Sequence, residues 1–361
     1  MLSANKEISE VILFLSKYPQ SPEEYRDGFF QRVENIDQYY LNEERIYLSA
    51  SLFKNFKKKI VRHNLRTEVN CNLFFHFFYI LKLFRKCSFV YIQSIYNALN
   101  LILFIIFIHN FYILDLHGAV PEELKLQNKM KYSAIFSVIE KMLFKKVNIC
   151  IAVTNQMKKY YQKKYPNSSC KYIVYAILPS HVKKCNMDEL NIITDKVEII
   201  YSGNMQVWQN IDLMLNSIRK NLSKDVKFTI LTGELDKFCK RIAEYGINSN
   251  KVVVKSVKPE ELESYYKKCH YGFILRDDIV VNRVACPTKI VEYLNYGIKP
   301  IVLSSEIGDF SDYGYEYLKL EDLVDSHLSS CKSIKNIQIV EQIRTANNFN
   351  LRLELEKIMR F

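Results

Sequence analysis

In the second half of the chain, short apolar runs alternate regularly with helical patterns. Runs of strand length lie near residues 198–202, 226–231, 251–255, 271–275 and 299–303. The segments between them carry apolar residues at helical spacing. Strands joined by helices of this length lie parallel in one sheet. The pattern therefore predicts a doubly wound α/β domain.

The first half has a similar pattern with less regular spacing. Apolar runs of strand length are predicted as strands at 11–15, 46–48, 90–92, 111–114, 149–153 and 171–176. Helical patterns follow several of them, including 97–109 and 129–146. The polar, charged stretch 179–196 is predicted to connect two domains. We expect domains at 1–185 and 186–344, followed by a helical segment that extends to residue 361.

Two apolar segments of the first half could be read as membrane elements. Residues 73–85 are dominated by aromatic and aliphatic side chains, with Lys82, Arg85 and Lys86 near the end. They form either a buried helix or an amphipathic surface on anionic lipid, and we expect core contact. The apolar run 101–108 is too short to span a bilayer and is expected to be buried.

Polar residues cluster after strand 271–275, where a parallel sheet has its ligand crevice. Arg276, Asp277 and Asp278 end the strand, and Thr288 is predicted to cap the next helix. Free amides at the start of that helix, with Lys289 in its first turn, suit a phosphate.

Glu292, one turn further along, could accept hydrogen bonds from both hydroxyls of a ribose. Taken alone, the stretch 271–303 is equally compatible with an ordinary crossover helix whose charges are solvated. Two other turns of the same domain would lie in the same crevice. One contains Gly203, Asn204 and Gln206, and the other contains Gly233.

A second polar cluster, residues 115–118, follows strand 111–114. It contains His117, and Gly118 would give a substrate room to approach it. A structural histidine is the alternative. After the first strand, Asp27 and Gly28 precede a helix that carries Arg32 near its start.

The segment PTKIVEYLNYGIKPIV (287–302) resembles the donor-binding segment of GT-B glycosyltransferases, particularly retaining glycosyltransferase family 4 of the bacterial surface-polysaccharide type. DLHG (115–118) and AVTNQMKKYY (152–161) are also similar to segments of that family. The resemblance implies two Rossmann-like domains facing across a cleft, with residues 345–361 packing back on the first. The family usually has another glutamate eight residues before the one that corresponds to Glu292. In this sequence Val284 occupies that position. Asp277, Asp278, Asn282 or backbone amides would replace it.

The resemblance also implies roles for individual residues. Catalytic roles fall to His117, Arg276 and Lys289, and acceptor contacts to Asp27, Gly28 and Arg32. The leaving diphosphate would depend on Arg276, Arg283 and Lys289, because polar residues stand where the family has cations after Gly203. Donor-binding residues are Gly203, Asn204, Gln206, Gly233, Val257 and Lys258 (near the base), Arg276, Asn282, Pro287, Thr288, Lys289, Ile290 and Glu292.

The implied function is transfer of a hexose-type sugar from a nucleotide-sugar donor to a glycan or lipid-linked acceptor in capsule or O-antigen synthesis. No D-x-D sequence occurs, so we expect no metal and no other cofactor. Dinucleotide, Walker and zinc motifs are also missing from the sequence. A GT-B sugar-nucleotide 2-epimerase and a non-catalytic GT-B accessory subunit are the alternatives.

The charge distribution and the cysteines indicate the kind of partner and the cellular compartment. Residues 1–190 hold 27 Lys+Arg against 16 Asp+Glu, and the remainder holds 24 against 23. The basic first half suits an anionic partner; we expect an anionic membrane surface rather than nucleic acid. Nine scattered cysteines without a C-x-x-C pair indicate a reducing compartment. With no secretory signal apparent, we expect a cytoplasmic protein at the inner face of the plasma membrane.

Overall fold

The computed structural model describes residues 11–25, 27–176, 178, 182–185, 190, 196–347 and 349–359. The chain divides into two compact units. Unit 1 comprises Met1–Ile177 and Phe349–Phe361, and unit 2 comprises Leu178–Asn348. The predicted connection 179–196 lies mostly outside the described residues.

Unit 1 is built on a mixed sheet. Its strands are β1 (Val11–Leu15), β2 (Glu44–Ser51), β3 (Lys59–His63), β4 (Arg66–Asn72), β5 (Phe89–Gln93), β6 (Tyr112–Leu116), β7 (Ile149–Ala152) and β8 (Lys171–Val174). Among the described residues the strand order is β3-β4-β2-β1-β5-β6-β7-β8. Among the strand pairs that the structure describes in this sheet, only β3–β4 is antiparallel.

The helices of unit 1 follow the parallel strands. They are α1 (Pro22–Tyr25), α2 (Gly28–Asp37), α3 (Phe77–Lys86), α4 (Ile102–Phe107), α5 (Val120–Leu126), α6 (Met130–Leu143) and α7 (Asn155–Lys164), with 3-10 turns at Gln38–Tyr40 and Ile95–Leu101. Ile12 and Phe14 of β1 are buried at the centre of the core of this unit.

Unit 2 is a doubly wound parallel sheet. Its elements are β9 (Val197–Ser202), α8 (Ile211–Lys220), β10 (Val226–Leu231), α9 (Leu235–Glu244), β11 (Val252–Lys255), α10 (Leu262–Tyr266), β12 (Tyr271–Ile274), α11 (Val280–Arg283), α12 (Thr288–Asn295), β13 (Lys299–Val302), α13 (Phe310–Tyr313), β14 (Leu318–Lys319) and α14 (Ile334–Ala346), with 3-10 turns at Val207–Gln209, Pro259–Glu261 and Leu320–Leu323. Within the described part of this unit, the order is β11-β10-β9-β12-β13-β14. The chain then returns to unit 1 as α15 (Leu351–Met359).

The α/β fold with two Rossmann-like units is confirmed, and several details differ from the predictions. The basic segment after β2 forms the antiparallel β3–β4 hairpin, which the sequence pattern did not predict. The helical segment predicted after residue 344 corresponds to α15, which follows α14. The expected core contact of 73–85 holds for Ile80 and Phe84 but is wrong for Phe74 and Phe78, which are exposed.

The expected burial of 101–108 is also only partly correct. Phe104 and Ile105 are buried, whereas Leu103 and Phe107 are largely exposed. Among the described residues, no helix is both long enough and apolar enough to cross a membrane.

The nine cysteines all lie in described residues and are free thiols, and most are buried. We expect a thiol titration under denaturing, non-reducing conditions to count nine reactive groups per chain. A native-state titration should react first with the exposed Cys239 and Cys331. A count of seven or fewer in denaturant would reveal a disulfide and contradict this prediction.

Candidate active site

The turn after β9 shows why glycine is needed at residue 203. Gly203 has φ +150°, and a Cβ added there would lie 2.7 Å from Lys289 Nζ and 3.2 Å from the Tyr201 hydroxyl oxygen. Tyr201 donates a hydrogen bond to the Asn204 carbonyl at 2.5 Å. The start of α12 and the β9 turn are thus in close contact, as the predicted phosphate site requires.

Lys289 is the centre of this contact. Its Nζ lies 4.1 Å from the centroid of the Tyr201 ring and donates to Gln209 Oε1 at 3.2 Å. Burial, and then the charge of Arg276, lower the pKa of Lys289 to about 7. An amine held beside another cation in a sheltered place gains most from an anion, such as a diphosphate.

Glu292 is buried on the next turn of α12, and a tyrosine holds its carboxylate. Tyr266 donates to Glu292 Oε2 at 2.7 Å. Because that bond uses the only phenolic proton of Tyr266, Ser202 Oγ donates to the Tyr266 oxygen, at 2.8 Å. Ser202 is the last residue of β9, so this chain of bonds fixes Glu292 relative to the strand end. Tyr266 lies 26 residues from Glu292 in the sequence, so no local pattern predicts this contact.

The loop after β12 positions Arg276. Its Nη1 donates to Asn282 Oδ1 at 3.2 Å, and Asn282 Nδ2 donates to the Asp277 carbonyl at 2.8 Å. Asn282 is buried inside the loop, so its side chain holds Arg276 and the Asp277 carbonyl in fixed positions. The loop is therefore closed by its own side chains and holds the guanidinium near Lys289.

The other charged residues of this loop have local partners. Arg283 and Asp278 form a two-bond ion pair at 2.6 and 2.8 Å, and both are exposed. Asp277 accepts from Asn210 Nδ2 at 3.2 Å. Val284, which occupies the position of the family's other glutamate, is buried.

A carboxylate contacts the β9 turn from the neighbouring loop. Glu234 Oε2 accepts from the Met205 amide at 2.8 Å, and the Lys237 amine contacts the other oxygen at 2.6 Å. Glu234 follows Gly233, so the two predicted turns meet through this bond. Asn204 Oδ1 accepts from the Gln206 amide at 3.3 Å, and Gln206 itself is exposed.

The start of α12 differs from the prediction. Thr288 is the first helical residue, and Pro287 occupies the capping position with φ −65° and no side-chain cap bond. The predicted Thr288 cap is therefore wrong, because the proline ring fixes the extended backbone that precedes the helix. Ile290 is fully buried and anchors the helix. Val257 and Lys258 lie between β11 and the Pro259–Glu261 turn, and the Lys258 amide donates to Glu261 Oε2 at 2.7 Å.

Unit 1 brings its predicted residues together around Asp115. Asp27 caps α2 by accepting from the Phe29 amide at 2.8 Å, and Gly28 begins that helix. Arg32 is buried and contacts both Asp115 oxygens at 2.7 to 2.9 Å. Burial raises the pKa of Asp115, but Arg32 and His117 outweigh it and hold that pKa below its usual range.

His117 lies two residues after this ion pair. Its Nε2 donates to Gln93 Oε1 at 2.8 Å, which leaves the lone pair on Nδ1. Among the described residues, this buried Nδ1 has no hydrogen-bond partner. Burial lowers the pKa of His117, so the ring is neutral at pH 7. The ring also packs against Phe29, with centroids 4.8 Å apart.

The expected role of Gly118 is wrong. The residue is buried, and an added Cβ would lie 1.9 Å from Glu123 Oε1. The space beside it holds a side chain of α5, so the glycine permits packing rather than the approach of a substrate.

Comparison with known proteins is informative for unit 2. Residues 182–313 match the family model described as glycosyl transferases group 1. Unit 2 carries a glycosyltransferase domain. The predicted enzyme class, a glycosyltransferase, is therefore confirmed. A sequence search of curated proteins finds no match.

Solved glycosyltransferases share the fold of the whole chain. HepE of Anabaena, in complex with UDP, aligns with a TM-score of 0.66 at 10% identity, over 98% of this chain and 100% of HepE. Sucrose-phosphate synthase of Thermosynechococcus elongatus has a TM-score of 0.64 at 10% identity (97% and 98% covered). The UDP-forming trehalose-phosphate synthase of Burkholderia vietnamiensis gives 0.64 at 10% (98% and 100%). At identities this low, these alignments establish that the folds are alike and nothing further.

Replacing the Glu292 carboxylate tests the ribose assignment. We expect Glu292→Gln to weaken nucleotide-sugar binding by about 1 to 3 kcal/mol, because a charged acceptor becomes a neutral amide. Titration calorimetry measures the loss, and Glu321→Gln, at an exposed residue of the same unit, is the matched control. Equal affinities in the two variants would remove Glu292 from the site.

Donor affinity should depend on pH through Lys289. A bound diphosphate favours the charged amine, so binding takes up a proton above the free pKa of about 7. Affinity should therefore fall as pH rises from about 7 to 9, by up to about tenfold per unit. A nucleotide sugar is the right probe, because its diphosphate does not titrate in this range. The affinity of Lys289→Met should not change over this pH range. Constant affinity in wild type would contradict the assignment of Lys289 to the diphosphate.

Proposed function

We propose that the chain transfers a hexose-type sugar from a nucleotide-sugar donor to a glycan or lipid-linked acceptor. The observation that carries the proposal is the position of Lys289. Its amine is held against the Gly203 turn beside Arg276, and Glu292 lies one helical turn away. Two neighbouring cations suit a diphosphate, and a carboxylate beyond them suits a ribose.

The donor residues have separate tasks in this proposal. Amides at the start of α12 and Lys289 bind the diphosphate, and Glu292 accepts from the ribose hydroxyls. Arg276 and Lys289 stabilise the charge that develops on the leaving phosphate. The reaction needs no metal, since these cations neutralise the diphosphate. The configuration at the sugar is retained, and the leaving phosphate oxygen takes the proton of the acceptor hydroxyl.

The proposal gives the residues of unit 1 different tasks. His117 accepts a hydrogen bond from a hydroxyl of the transferred sugar through Nδ1, whose lone pair has no partner among the described residues. Asp27 and Gly28 contact the acceptor. Arg32 is engaged with Asp115, so it acts by holding the aspartate beneath His117 rather than by touching the acceptor.

The proposal also covers the acceptor and the place in the cell where the reaction occurs. We place the reaction in the synthesis of a bacterial surface polysaccharide, capsule or O-antigen, on a lipid-linked acceptor. The protein then works in the cytoplasm at the inner face of the plasma membrane. The free thiols and the basic first half of the chain support this placement.

Thermal stabilisation by a panel of nucleotide sugars tests the proposal. UDP-glucose is the first compound, since HepE has been solved with UDP-glucose. A donor at about one hundred times its Kd should add about 2.7 kcal/mol of stability. The account predicts that one nucleotide class raises the melting temperature and that Lys289→Met removes the shift. A panel without any stabilising compound would overturn the proposal.

A further inference from the structure

Unit 1 exposes a group of large aromatic side chains. Phe53, Phe74, Phe75 and Phe78 are 82, 68, 71 and 82% exposed. They lie on the β2–β3 connection, on the segment after β4 and on the first turn of α3. The phenylalanine face is defined here as Phe53, Phe56, Phe74, Phe75, Phe77, Phe78, Leu103 and Phe107. An apolar group of this size on a protein surface usually marks an interaction site.

Ring contacts link four members of this face. Phe56 packs edge to face on Phe75 with centroids 5.5 Å apart, which joins the two connecting segments. Phe77 contacts Phe78 at 5.6 Å and Phe104 at 4.9 Å. Phe104 belongs to α4, the helix that exposes Leu103 and Phe107. Residues 74–78 are consecutive in sequence, so these two sets of contacts lie on neighbouring segments between the β2–β3 connection and α4.

A buried asparagine holds both connecting segments in place. Asn72 Nδ2 donates to the carbonyls of Leu52 and Lys54 at 2.8 and 3.1 Å. Its Oδ1 accepts from the amides of Phe74 and Phe75 at 3.0 and 3.2 Å. One fully buried side chain thus fixes the backbone on either side of the exposed rings. The backbone that carries the exposed rings is therefore held by specific bonds.

The charge around the face is strongly positive. Residues 45–114 contain ten Lys+Arg and one acidic residue, Glu68, which is buried and contacts Arg66. Exposed cations next to the rings in sequence are Lys54, Lys57, Lys58, Lys82, Arg85 and Lys86. An anionic partner is therefore complementary to this surface.

We propose that the phenylalanine face docks unit 1 on an anionic lipid surface. Aromatic rings enter the boundary between headgroups and acyl chains, while the flexible lysines stay with the anionic headgroups. A single-stranded nucleic acid is the competing occupant. It needs open ring faces, one for each base, whereas Phe56 packs edge to face with Phe75, and Phe77 with Phe78. The inference deepens the proposed membrane location and rests on that part of the proposed function.

Vesicle sedimentation tests the docking without donor or acceptor. We expect wild type to bind vesicles of phosphatidylcholine with phosphatidylglycerol, to bind pure phosphatidylcholine much less, and to dissociate as salt is raised. Phe74→Ser with Phe78→Ser should lower the partition coefficient about tenfold, or about 1.4 kcal/mol. The matched control is Leu41→Ser with Leu353→Ser, which removes exposed leucines from other elements of unit 1.

A second pair of variants tests the charges. Lys54→Glu with Lys57→Glu should weaken binding to anionic vesicles about tenfold, whereas Lys240→Glu with Lys268→Glu in unit 2 should change it less than about twofold. Melting temperature and stabilisation by a nucleotide sugar, measured on each variant, show that it is folded. Loss of vesicle binding with donor binding intact supports the docking surface independently of the transfer reaction.

Three results would overturn the inference. One is a failure of wild type to bind anionic vesicles. Another is equal binding by the Phe74/Phe78 variant and its leucine control. The last is tight binding of a single-stranded oligonucleotide that the phenylalanine substitutions abolish, in the absence of vesicle binding.

Discussion

We expect His117→Ala to lower turnover about 100-fold or more, while nucleotide affinity stays near wild type. The imidazole is neutral, its Nε2 is engaged by Gln93, and its buried Nδ1 has no partner among the described residues. A group in this state can hold a sugar hydroxyl in place, and misplacing a reacting sugar forfeits much of the rate. Initial rates at saturating donor, with calorimetry for the bare nucleotide, measure both quantities. His109→Ala, at an exposed histidine of unit 1, is the control.

A structural histidine would behave in the opposite way. Removing its ring would break the bond to Gln93 and the contact with Phe29, and the melting temperature would fall. Activity per folded molecule would survive. A His117→Ala protein with near-normal specific activity would therefore exclude His117 from the reaction.

Lys289→Met should be the most damaging change in unit 2. Methionine keeps most of the length of the side chain and removes its charge, so the diphosphate loses a cation both when it binds and when it leaves. We expect turnover to fall roughly 10²-fold to 10³-fold. Donor affinity should fall as well, because the amine contacts the ground-state diphosphate too. Steady-state rates and calorimetry separate the two effects.

Lys240→Met is the control for this change, since Lys240 is an exposed lysine of α9 in the same unit. It should leave both quantities within about twofold of wild type. Turnover of Lys289→Met equal to that of the control would show that the amine does not act on the leaving group.

The elements that could be predicted are those bounded by abrupt changes in polarity. The bounds of β1 and β10 are predicted to the residue, because β1 is an apolar run and β10 alternates apolar with polar residues up to Ile230. The cluster of Gly203, Arg276, Lys289 and Glu292 could also be anticipated, since parallel strands bring their carboxyl ends to one edge of the sheet.

The contacts that complete the site depend on folding. Tyr266 reaches Glu292 over 26 residues, and Glu234 reaches the Met205 amide over 29. Neither pair has a local pattern. For residues 73–85, periodicity indicates an apolar side but cannot tell whether another element covers it. The exposed Phe74 and Phe78 show that part of it is uncovered in unit 1.

A crystal structure with the nucleoside diphosphate of the stabilising donor tests the central claim most directly. The account predicts a diphosphate between the Gly203 turn and the start of α12, within hydrogen-bond distance of Lys289 Nζ. The ribose hydroxyls should contact Glu292, which also accepts a hydrogen bond from Tyr266. A nucleotide bound elsewhere, or one whose ribose points away from Glu292, would contradict it.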